Sequence, residues 1–393
     1  MHVDDAVSIA DLQAMARRRL PKAVFDFIEG GAESEATVRR NASDFERMEF
    51  IPRTLVDVSA RSSSVSLLGQ QAALPIAISP TGLASIVWAD AEVAIARAAH
   101  AKGIPFTLSV AASTSIEDLR HAVPAARLWF QLYAFRDHEL VRSLVRRAEA
   151  ARFEALVLTV DIPVVGQRDR DLHNRFTAPI RPTPRLVWDM VRCPRWTAHL
   201  WQGGAPTMRN LVDGIQADVG IESLGRLLTR NMDASLDWSR LGWIRDLWPG
   251  RMVIKGVLSP ADAERAVKLG FDAIMVSNHG GRQLDFALSS IAALPDVASA
   301  VGGRAEVYLD GGVRRGSDIA KAIALGARAV TIGRASLFGV AAAGEAGAHR
   351  SLAILSGELD RCLALLGCPD VRLLDPSYLR DPAARRLPET RVG

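Results

Sequence analysis

The chain has 393 residues and a hydrophobic fraction of 49%, which supplies enough apolar side chains for a large core and excludes general disorder. Its 48 basic and 44 acidic residues leave a formal net charge of only +4, and they are spread without a basic tract, so no nucleic-acid partner is expected. The three cysteines, Cys193, Cys362 and Cys368, form neither a metal-type pair nor an even disulfide framework, which favours a reducing compartment.

Residues 1–70 are predicted to form an N-terminal helical extension. Ser8 has the hydroxyl of a helix N-cap, and a second helix is expected between Pro21 and the paired glycines Gly30 and Gly31. The acidic first residues lack the apolar core of a signal peptide, and no later run reaches the ~18 apolar residues of a transmembrane helix. We therefore expect a cytoplasmic protein, either soluble or peripheral on the inner face of the cell membrane.

Short apolar runs alternate with helical patterns from residue 74 onward. Eight such units predict an α/β fold, a (β/α)8 TIM barrel, with the whole chain 1–393 as a single domain. An open doubly wound sheet is the alternative, although no GxGxxG follows the first strand as it does in dinucleotide-binding domains. The predicted strands are Leu74–Pro80, Ile104–Val110, Leu128–Ala134, Ala155–Asp161, Met252–Val257, Ala273–His279, Glu306–Gly311 and Ala329–Arg334.

A long insertion, 162–251, separates the fourth and fifth predicted strands. It is too long for one helix and two loops, so we expect it to contain helices and to have a function of its own. Within it, the segment 177–205 mixes Trp188, Trp196 and Trp201 with several arginines, a composition typical of an interfacial membrane segment. A lid over the barrel mouth or an oligomer contact is the alternative for this segment.

Polar or ionisable side chains stand at the carboxyl end of nearly every predicted strand, where barrels of this type place their chemistry. A purely structural barrel would not need them there. After the last two strands, glycines and Arg314 predict a phosphate site, because glycines let the backbone approach a ligand and arginine supplies charge-assisted hydrogen bonds. The strand-end residues are Pro80, Thr81, Gly82, Ser109, Gln131, Tyr133, Thr159, Asp161, Lys255, Ser277, His279, Arg282, Asp310, Gly311, Gly312, Gly333 and Arg334.

One histidine and two arginines among the candidate residues indicate a small anionic substrate. His279 is a candidate base near neutral pH, with Asp161 to orient its ring, while Arg282 and Arg168 offer planar forks for a carboxylate. Lys255 is expected either to hold a positive charge beside a cofactor ring or to form a Schiff base. The set suits removal of a proton or a hydride from a carbon next to a carboxylate, and no metal site is predicted.

Three motifs carry a specific resemblance to a known family. They are SNHGGRQ at 277–283, LDGGVRRG at 309–316 and FQLY at 130–133. Through them the chain resembles the FMN-dependent α-hydroxy acid dehydrogenase and oxidase family, from about residue 8 to residue 375. The stretches DLHNRF at 171–176 and RNMDAS at 230–235 are similar to the membrane-associated, mandelate-oxidising branch of that family.

The resemblance implies FMN as the cofactor, an (S)-2-hydroxy acid with an aromatic side chain as the substrate, and a homotetramer. The electron acceptor would be a quinone, or O2 in a soluble oxidase that gives hydrogen peroxide. His279 would be the base, paired with Asp161, and Lys255 would stabilise negative charge on FMN. Arg282 and Arg168 would bind the substrate carboxylate, and Tyr133 the substrate hydroxyl. The FMN ring would be held by Ser109, Gln131, Thr159 and the backbone of 80–82, and its phosphate by Arg314, Gly333 and Arg334.

Phe27 departs from the family pattern, which usually has a tyrosine there whose hydroxyl reaches the substrate carboxylate. Losing that donor is expected to weaken carboxylate binding by roughly 1–2 kcal/mol. Gly82, where many oxidases of the family have alanine, favours an acceptor other than oxygen. A barrel that binds FMN without turnover is the alternative from a different functional class.

Overall fold

A closed barrel of eight parallel strands forms the centre of the protein, as seen in a computed structural model that describes residues 2–176, 184–204, 206–212 and 230–380. The last strand pairs with the first, Val330 opposite Ile76, which excludes an open sheet and confirms the predicted (β/α)8 fold. The strands are β1 (Ile76–Ile78), β2 (Phe106–Ser109), β3 (Leu128–Tyr133), β4 (Ala155–Thr159), β5 (Arg251–Val257), β6 (Ala273–Ser277), β7 (Glu306–Asp310) and β8 (Ala329–Ile332).

The barrel strands are apolar along their length because both of their faces are covered. Every residue of β1, β2, β3, β4, β6 and β8 is buried, as expected where helices cover the outside and side chains fill the interior. Most of the predicted strands extend one or two residues too far at their carboxyl ends. The ladder stops where the polar residues begin, and β6 ends at Ser277 because His279 has a left-handed backbone, with φ of 58°.

Helices surround the barrel and begin at recognisable caps. Ser115, for example, accepts a hydrogen bond at 3.0 Å from the backbone N–H of Asp118, which satisfies one of the free donors at a helix start. The last helix contains a break at Ala343 and Gly344, where the backbone is not helical. The surrounding helices are Ala91–Ala101, Ile116–Ala122, His138–Ala150, Pro260–Lys268, Ser290–Val301, Gly316–Ala324 and Arg334–Leu366, with a 3-10 turn at Ala84–Ile86.

The N-terminal extension packs against the last helix and reaches the mouth of the barrel. Ser8 and Asp11 form a capping box at the start of the first helix, as the hydroxyl at this position predicts. The extension contains the helices Ile9–Arg19, Lys22–Glu29 and Ala36–Arg47, the 3-10 turn Val3–Asp5, and the strands Val65–Leu67 and Gln70–Ala72. A short strand, Glu49–Phe50, pairs with Leu379–Arg380, which follows the 3-10 turns Val371–Leu373 and Pro376–Tyr378.

The insertion between β4 and β5 contains several short helices. They are Asp169–His173, Pro184–Arg192, Pro194–Gly203, Arg209–Val212 and Gly242–Leu247. Trp196 anchors the third of these to the barrel, since its buried indole N–H donates to the carbonyl of Ile86 at 2.7 Å. Among the described residues, no helix has the length and apolar character needed to span a bilayer. Part of the segment 177–205, namely 177–183 and 205, lies outside the described residues.

Candidate active site

A cavity of about 550 Å³ opens at the carboxyl ends of the strands, a size typical of small-molecule sites. Most of the predicted site residues line it, and five others lie in the layer beneath. The lining residues are Phe27, Pro80, Thr81, Gly82, Tyr133, Arg168, Lys255, His279, Arg282, Asp310, Gly311, Gly312, Arg314, Gly333 and Arg334. The residues beneath are Ser109, Gln131, Thr159, Asp161 and Ser277, of which all but Asp161 are buried.

His279 and Asp161 form a hydrogen-bonded pair, with 3.0 Å between His279 Nδ1 and Asp161 Oδ1. An ionised carboxylate only accepts hydrogen bonds, so Nδ1 of His279 carries the ring proton. Nε2 is then unprotonated and can accept a proton. Burial lowers the pKa of His279 below its ordinary 6.5, although the charge of Asp161 raises it. The backbone N–H of His279 donates to Ser277 Oγ at 3.0 Å, which helps to hold a left-handed conformation that is uncommon outside glycine.

Lys255 lines the cavity and lies in a network of hydroxyl groups and one carboxylate. Its Nζ is 3.1 Å from Asp310 Oδ2 and 3.0 Å from Ser277 Oγ. Burial lowers the pKa of Lys255, but Asp310 and Asp161 raise it above its ordinary value overall. Lys255 is therefore a fixed cation, and the geometry gives no support to the Schiff-base alternative, which needs a neutral amine.

Asp310 takes a different position from the one its sequence context suggests. Asp310 directly precedes the glycines of the predicted phosphate site, but its Oδ2 faces Lys255, and its Oδ1 accepts hydrogen bonds at 2.8 Å from Ser79 Oγ and Thr331 Oγ1. Burial alone would raise the pKa of Asp310, but Lys255 and the hydroxyl groups lower it to about 2. Sequence reasoning missed Ser79 and Thr331, although both are hydroxyl residues at strand ends.

The layer beneath the cavity contains buried polar side chains, among them Gln131 and Thr159. Gln131 Oε1 accepts from Ser109 Oγ at 3.0 Å and from the N–H of Val110 at 3.3 Å. Gln131 Nε2 and Thr159 Oγ1 are buried, and within the described chain neither has a hydrogen-bond partner. An unsatisfied buried group costs about 1–3 kcal/mol. The polar edge of a flavin ring would satisfy both atoms, so the residues present fit FMN.

The loops after β7 and β8 fit a phosphate group. Gly311 and Gly312 have φ of 117° and 84°, and a Cβ at Gly312 would lie 2.0 Å from the carbonyl oxygen of Asn41, so glycine is required there. Gly333 is the N-cap of the helix Arg334–Leu366, and helix N-termini attract anions. Arg314 lines the same cavity, with Nη1 bound to the carbonyl of Val313 at 2.8 Å.

The guanidinium of Arg334, expected at the phosphate, is instead bound by the protein. Its Nε donates to the carbonyl of Ile28 at 3.0 Å, and its Nη atoms donate to the carbonyls of Gly280 and Gly30 at 2.8 Å each. Arg334 thus joins the N-terminal extension to the loop of His279. The backbone N–H of Arg334, at the start of the helix, can still donate a hydrogen bond to a phosphate.

Arg282 and Arg168 converge on one ring, that of Phe27. Their guanidinium carbons lie 5.3 and 5.8 Å from the centre of the Phe27 ring, within cation–π distance. Arg282 Nη1 donates to the carbonyls of Phe27 and Gly30 at 2.8 Å, and Arg168 Nε donates to Asp171 at 2.8 Å. Burial and the charge of Arg168 lower the pKa of Arg282, and an anion held between the two guanidinium groups would offset their repulsion.

The insertion adds six apolar side chains to the cavity wall, next to the polar Gln167 and Asp171, and the phenol of Tyr133 also lines the cavity. Burial raises the pKa of Tyr133, so its hydroxyl is a neutral donor. Phe27 stacks on Phe176 with 4.9 Å between ring centres and 29° between planes. The other apolar lining residues near this side are Ile162, Val165, Leu172, Met208 and Met232. Sequence reasoning did not assign them to the site, although Leu172 and Met232 fall within the stretches DLHNRF and RNMDAS.

Comparison with known proteins gives one consistent result. A sequence model of the FMN-dependent dehydrogenases matches residues 16–381. The (S)-mandelate dehydrogenase of Pseudomonas putida is 44% identical over 95% of this chain and 94% of its own. An L-lactate dehydrogenase of Caulobacter vibrioides is 43% identical over 96% of this chain and 98% of its own.

Solved structures agree with these relatives. A crystal structure described as the monotopic membrane protein (S)-mandelate dehydrogenase has a TM-score of 0.91 and 43% identity, covering 96% of this chain and 100% of that chain. A mandelate oxidase structure has a TM-score of 0.80 and 36% identity, covering 95% and 98%. The likeness therefore extends over the barrel, the extension and most of the insertion.

Proposed function

The chain belongs to the FMN-dependent dehydrogenases and is a 2-hydroxy acid dehydrogenase of that family, and on this premise we propose that it oxidises an aromatic (S)-2-hydroxy acid, of the mandelate type, to the 2-keto acid. One observation carries the proposal. The His279–Asp161 pair and the arginines Arg168 and Arg282 meet at a single cavity, and apolar side chains of the insertion form part of its wall. Lactate would leave that wall without a contact, whereas an aryl group would cover it.

The proposed roles follow from the donors and acceptors present. Arg168 and Arg282 bind the substrate carboxylate, and Tyr133 donates a hydrogen bond to the substrate hydroxyl. His279 Nε2 takes a proton from the substrate, and Asp161 stabilises the imidazolium that results. FMN, when bound, supplies the acceptor for two electrons. Lys255 would supply a fixed positive charge that stabilises negative charge developing on FMN.

Two groups of residues would hold FMN, one at its ring and one at its phosphate. The residues proposed to contact the ring are Gln131, Thr159, Ser109, Ser277, Pro80, Thr81, Gly82 and Lys255. Asp310 would contribute by keeping Lys255 charged. The phosphate contacts are proposed for Gly311, Gly312, Arg314, Gly333 and the backbone of Arg334. The orphaned donors of Gln131 and Thr159 and the positive-φ glycines support this division.

We also propose that the protein attaches to a membrane surface and passes electrons to a quinone there. Two exposed tryptophans in the insertion, Trp188 and Trp201, are 62% and 81% accessible, and Val187 and Val191 beside Trp188 are also exposed. Exposed apolar side chains of this size mark interaction surfaces. Reaction with O2 is the second candidate, favoured by the 36% identity to a mandelate oxidase.

We also propose that the chain forms a single domain over residues 1–393 and that it assembles as a homotetramer.

Anaerobic mixing of the purified flavoprotein with a panel of 2-hydroxy acids tests the function. We expect (S)-mandelate to bleach the flavin faster than lactate and glycolate, and (R)-mandelate to leave it oxidised. A flavin that no 2-hydroxy acid bleaches would contradict the enzymatic proposal. Readmission of oxygen then separates the two acceptors, since only an oxidase would consume O2 rapidly.

A further inference from the structure

The C-terminal end of the helix Lys22–Glu29 anchors two arginines of the active site. Arg282 donates to the carbonyls of Phe27 and Gly30, and Arg334 donates to those of Ile28 and Gly30. These carbonyls lack partners within the helix and lie at the negative end of its dipole, so cations are favoured there. The position of Arg282 therefore depends on the position of this helix end.

A third arginine, Arg170, reaches the same helix end from the insertion. Its Nη1 lies 2.8 Å from Glu29 and 3.6 Å from Asp26, and its Nη2 lies 2.5 Å from Glu35. Burial lowers the pKa of Arg170, but the bonds to Glu35 and Glu29 raise it above its ordinary value overall. Arg170 does not line the cavity, so it contacts neither the substrate nor the cofactor.

Arg170 belongs to the helix Asp169–His173, and Arg168 is the N-cap of that helix. The contact with the extension is reinforced at both ends. Asn174 Nδ2 donates to Asp26 at 2.7 Å, and the N–H of Glu33 donates to the carbonyl of Gln167 at 3.0 Å. The helix that carries Arg168 is thus held against the same helix end that holds Arg282.

We propose that Arg170 is a positioning residue that fixes the spacing between Arg168 and Arg282, and with it the affinity for the substrate carboxylate. The inference rests on the proposed function, in which these two arginines bind that carboxylate. Arg170 acts through the end of the helix Lys22–Glu29, because the positions of Arg168 and Arg282 both depend on contacts with that helix end.

The charges around Arg170 make this contact sensitive to substitution. Asp26, Glu29 and Glu35 surround the guanidinium, and Lys22, which pairs with Asp26, is a second cation in the cluster. Without Arg170, three carboxylates would face one another with one lysine, and like charges this close repel. The helix Asp169–His173 would then move away from the extension and carry Arg168 with it.

Steady-state kinetics and calorimetry on the FMN-loaded protein test the proposal with Arg170→Gln and Arg170→Lys. Arg61→Gln is the matched control, because Arg61 forms a bidentate pair with Asp360 at 2.7 and 2.5 Å away from the cavity. We expect Arg170→Gln to raise KM for the hydroxy acid by about tenfold or more, and to change kcat by less than about twofold. The dissociation constant of phenylacetate, an unreactive carboxylate, should rise in parallel.

Arg170→Lys should give an intermediate KM, because lysine keeps the charge but loses the fork, and Arg61→Gln should match the wild type. Unchanged KM and phenylacetate affinity in Arg170→Gln would overturn the proposal, as would an equal rise in Arg61→Gln. If Arg170→Gln does not fold, Arg170→Lys and Glu35→Gln decide on the same readouts. Failure of the wild type to turn over any 2-hydroxy acid would instead contradict the proposed function, while phenylacetate binding tests Arg170 separately.

Discussion

His279 can accept a proton at neutral pH because burial keeps its pKa low while Asp161 fixes the tautomer. The pair is 3.0 Å apart, and the other carboxylate oxygen of Asp161 is buried without a partner in the described structure. Asp161 is therefore available to stabilise the charge that His279 acquires. His279 and Asp161 come from the segments after β6 and β4, and the barrel brings these segments together.

The first prediction concerns the pH dependence of kcat/KM. A base must be neutral to act, so activity should rise with pH through the pKa of His279, with a midpoint below 6.5 because burial lowers that pKa. Asp161→Asn should move the midpoint lower still, since the carboxylate raises the pKa, and should reduce kcat by at least about 100-fold. Profiles between pH 5 and 9 check this. A midpoint that rises in Asp161→Asn would contradict it.

The second prediction concerns Phe27, whose ring faces both arginines without offering a hydrogen-bond donor. A hydrogen bond to a charged group contributes about 1.5–3 kcal/mol, so Phe27→Tyr should lower KM for the hydroxy acid by at least roughly tenfold. Phe286→Tyr, at a side chain that is 64% exposed, is the control and should leave KM unchanged. Steady-state KM decides, and an unchanged value in Phe27→Tyr would mean that the added hydroxyl does not reach the carboxylate.

At the level of elements, the strands and the barrel could be predicted from sequence because buried parallel strands are apolar runs that end in polar residues. His279, Asp161, Lys255 and Arg282 could be found in the same way, whereas Arg168 lies in the insertion and not at a strand end. The bonds of Arg334 could not, since they join carbonyls of Ile28, Gly30 and Gly280 that are distant in sequence. The apolar residues of the cavity wall were also missed. They lie in the insertion, and no local sequence pattern predicts how the insertion packs.

The third prediction concerns the helix Ala36–Arg47, whose N-cap residue makes no side-chain cap bond. Asp285 caps it from a distance, accepting from Ser34 Oγ at 2.6 Å and from the N–H of Thr37 at 2.8 Å. Asp285→Asn should lower the free energy of unfolding by roughly 1–2 kcal/mol. Urea denaturation checks this, with the exposed Asp296→Asn as the control.

The pH dependence of that difference has a definite sign. Burial raises the pKa of Asp285, but its hydrogen bonds lower it well below 3.8 overall. The stabilisation is therefore present above the carboxyl pKa of the unfolded chain and is lost only as pH falls through the lower pKa of the folded state. The deficit of Asp285→Asn should be the same at pH 5 and pH 8, and a deficit that disappears at pH 5 would contradict the assigned cap.

The fourth prediction concerns the proposed membrane surface of the insertion. Replacing both Trp188 and Trp201 by serine should move the protein from the membrane fraction to the soluble fraction while flavin reduction is retained. Leu365→Ser, at an exposed leucine elsewhere, should leave the distribution unchanged. Fractionation at low salt measures this, and a wild-type protein found entirely in the soluble fraction would exclude the membrane proposal.

Over the whole molecule, three parts of the chain build one cavity. The barrel supplies His279, Lys255 and the glycine loops after β7 and β8. The N-terminal extension supplies Phe27 and the carbonyls that hold Arg282 and Arg334. The insertion supplies Arg168 and apolar side chains of the cavity wall.

The central claim is that His279 removes a proton from a 2-hydroxy acid while the rest of the site holds FMN. Stopped-flow reduction of the bound flavin by (S)-mandelate without oxygen, in the wild type and in His279→Gln, tests it most directly. We predict that His279→Gln binds FMN at the wild-type ratio and that its flavin is reduced at least about 100-fold more slowly. Reduction at a near wild-type rate, or loss of the bound FMN, would contradict the account.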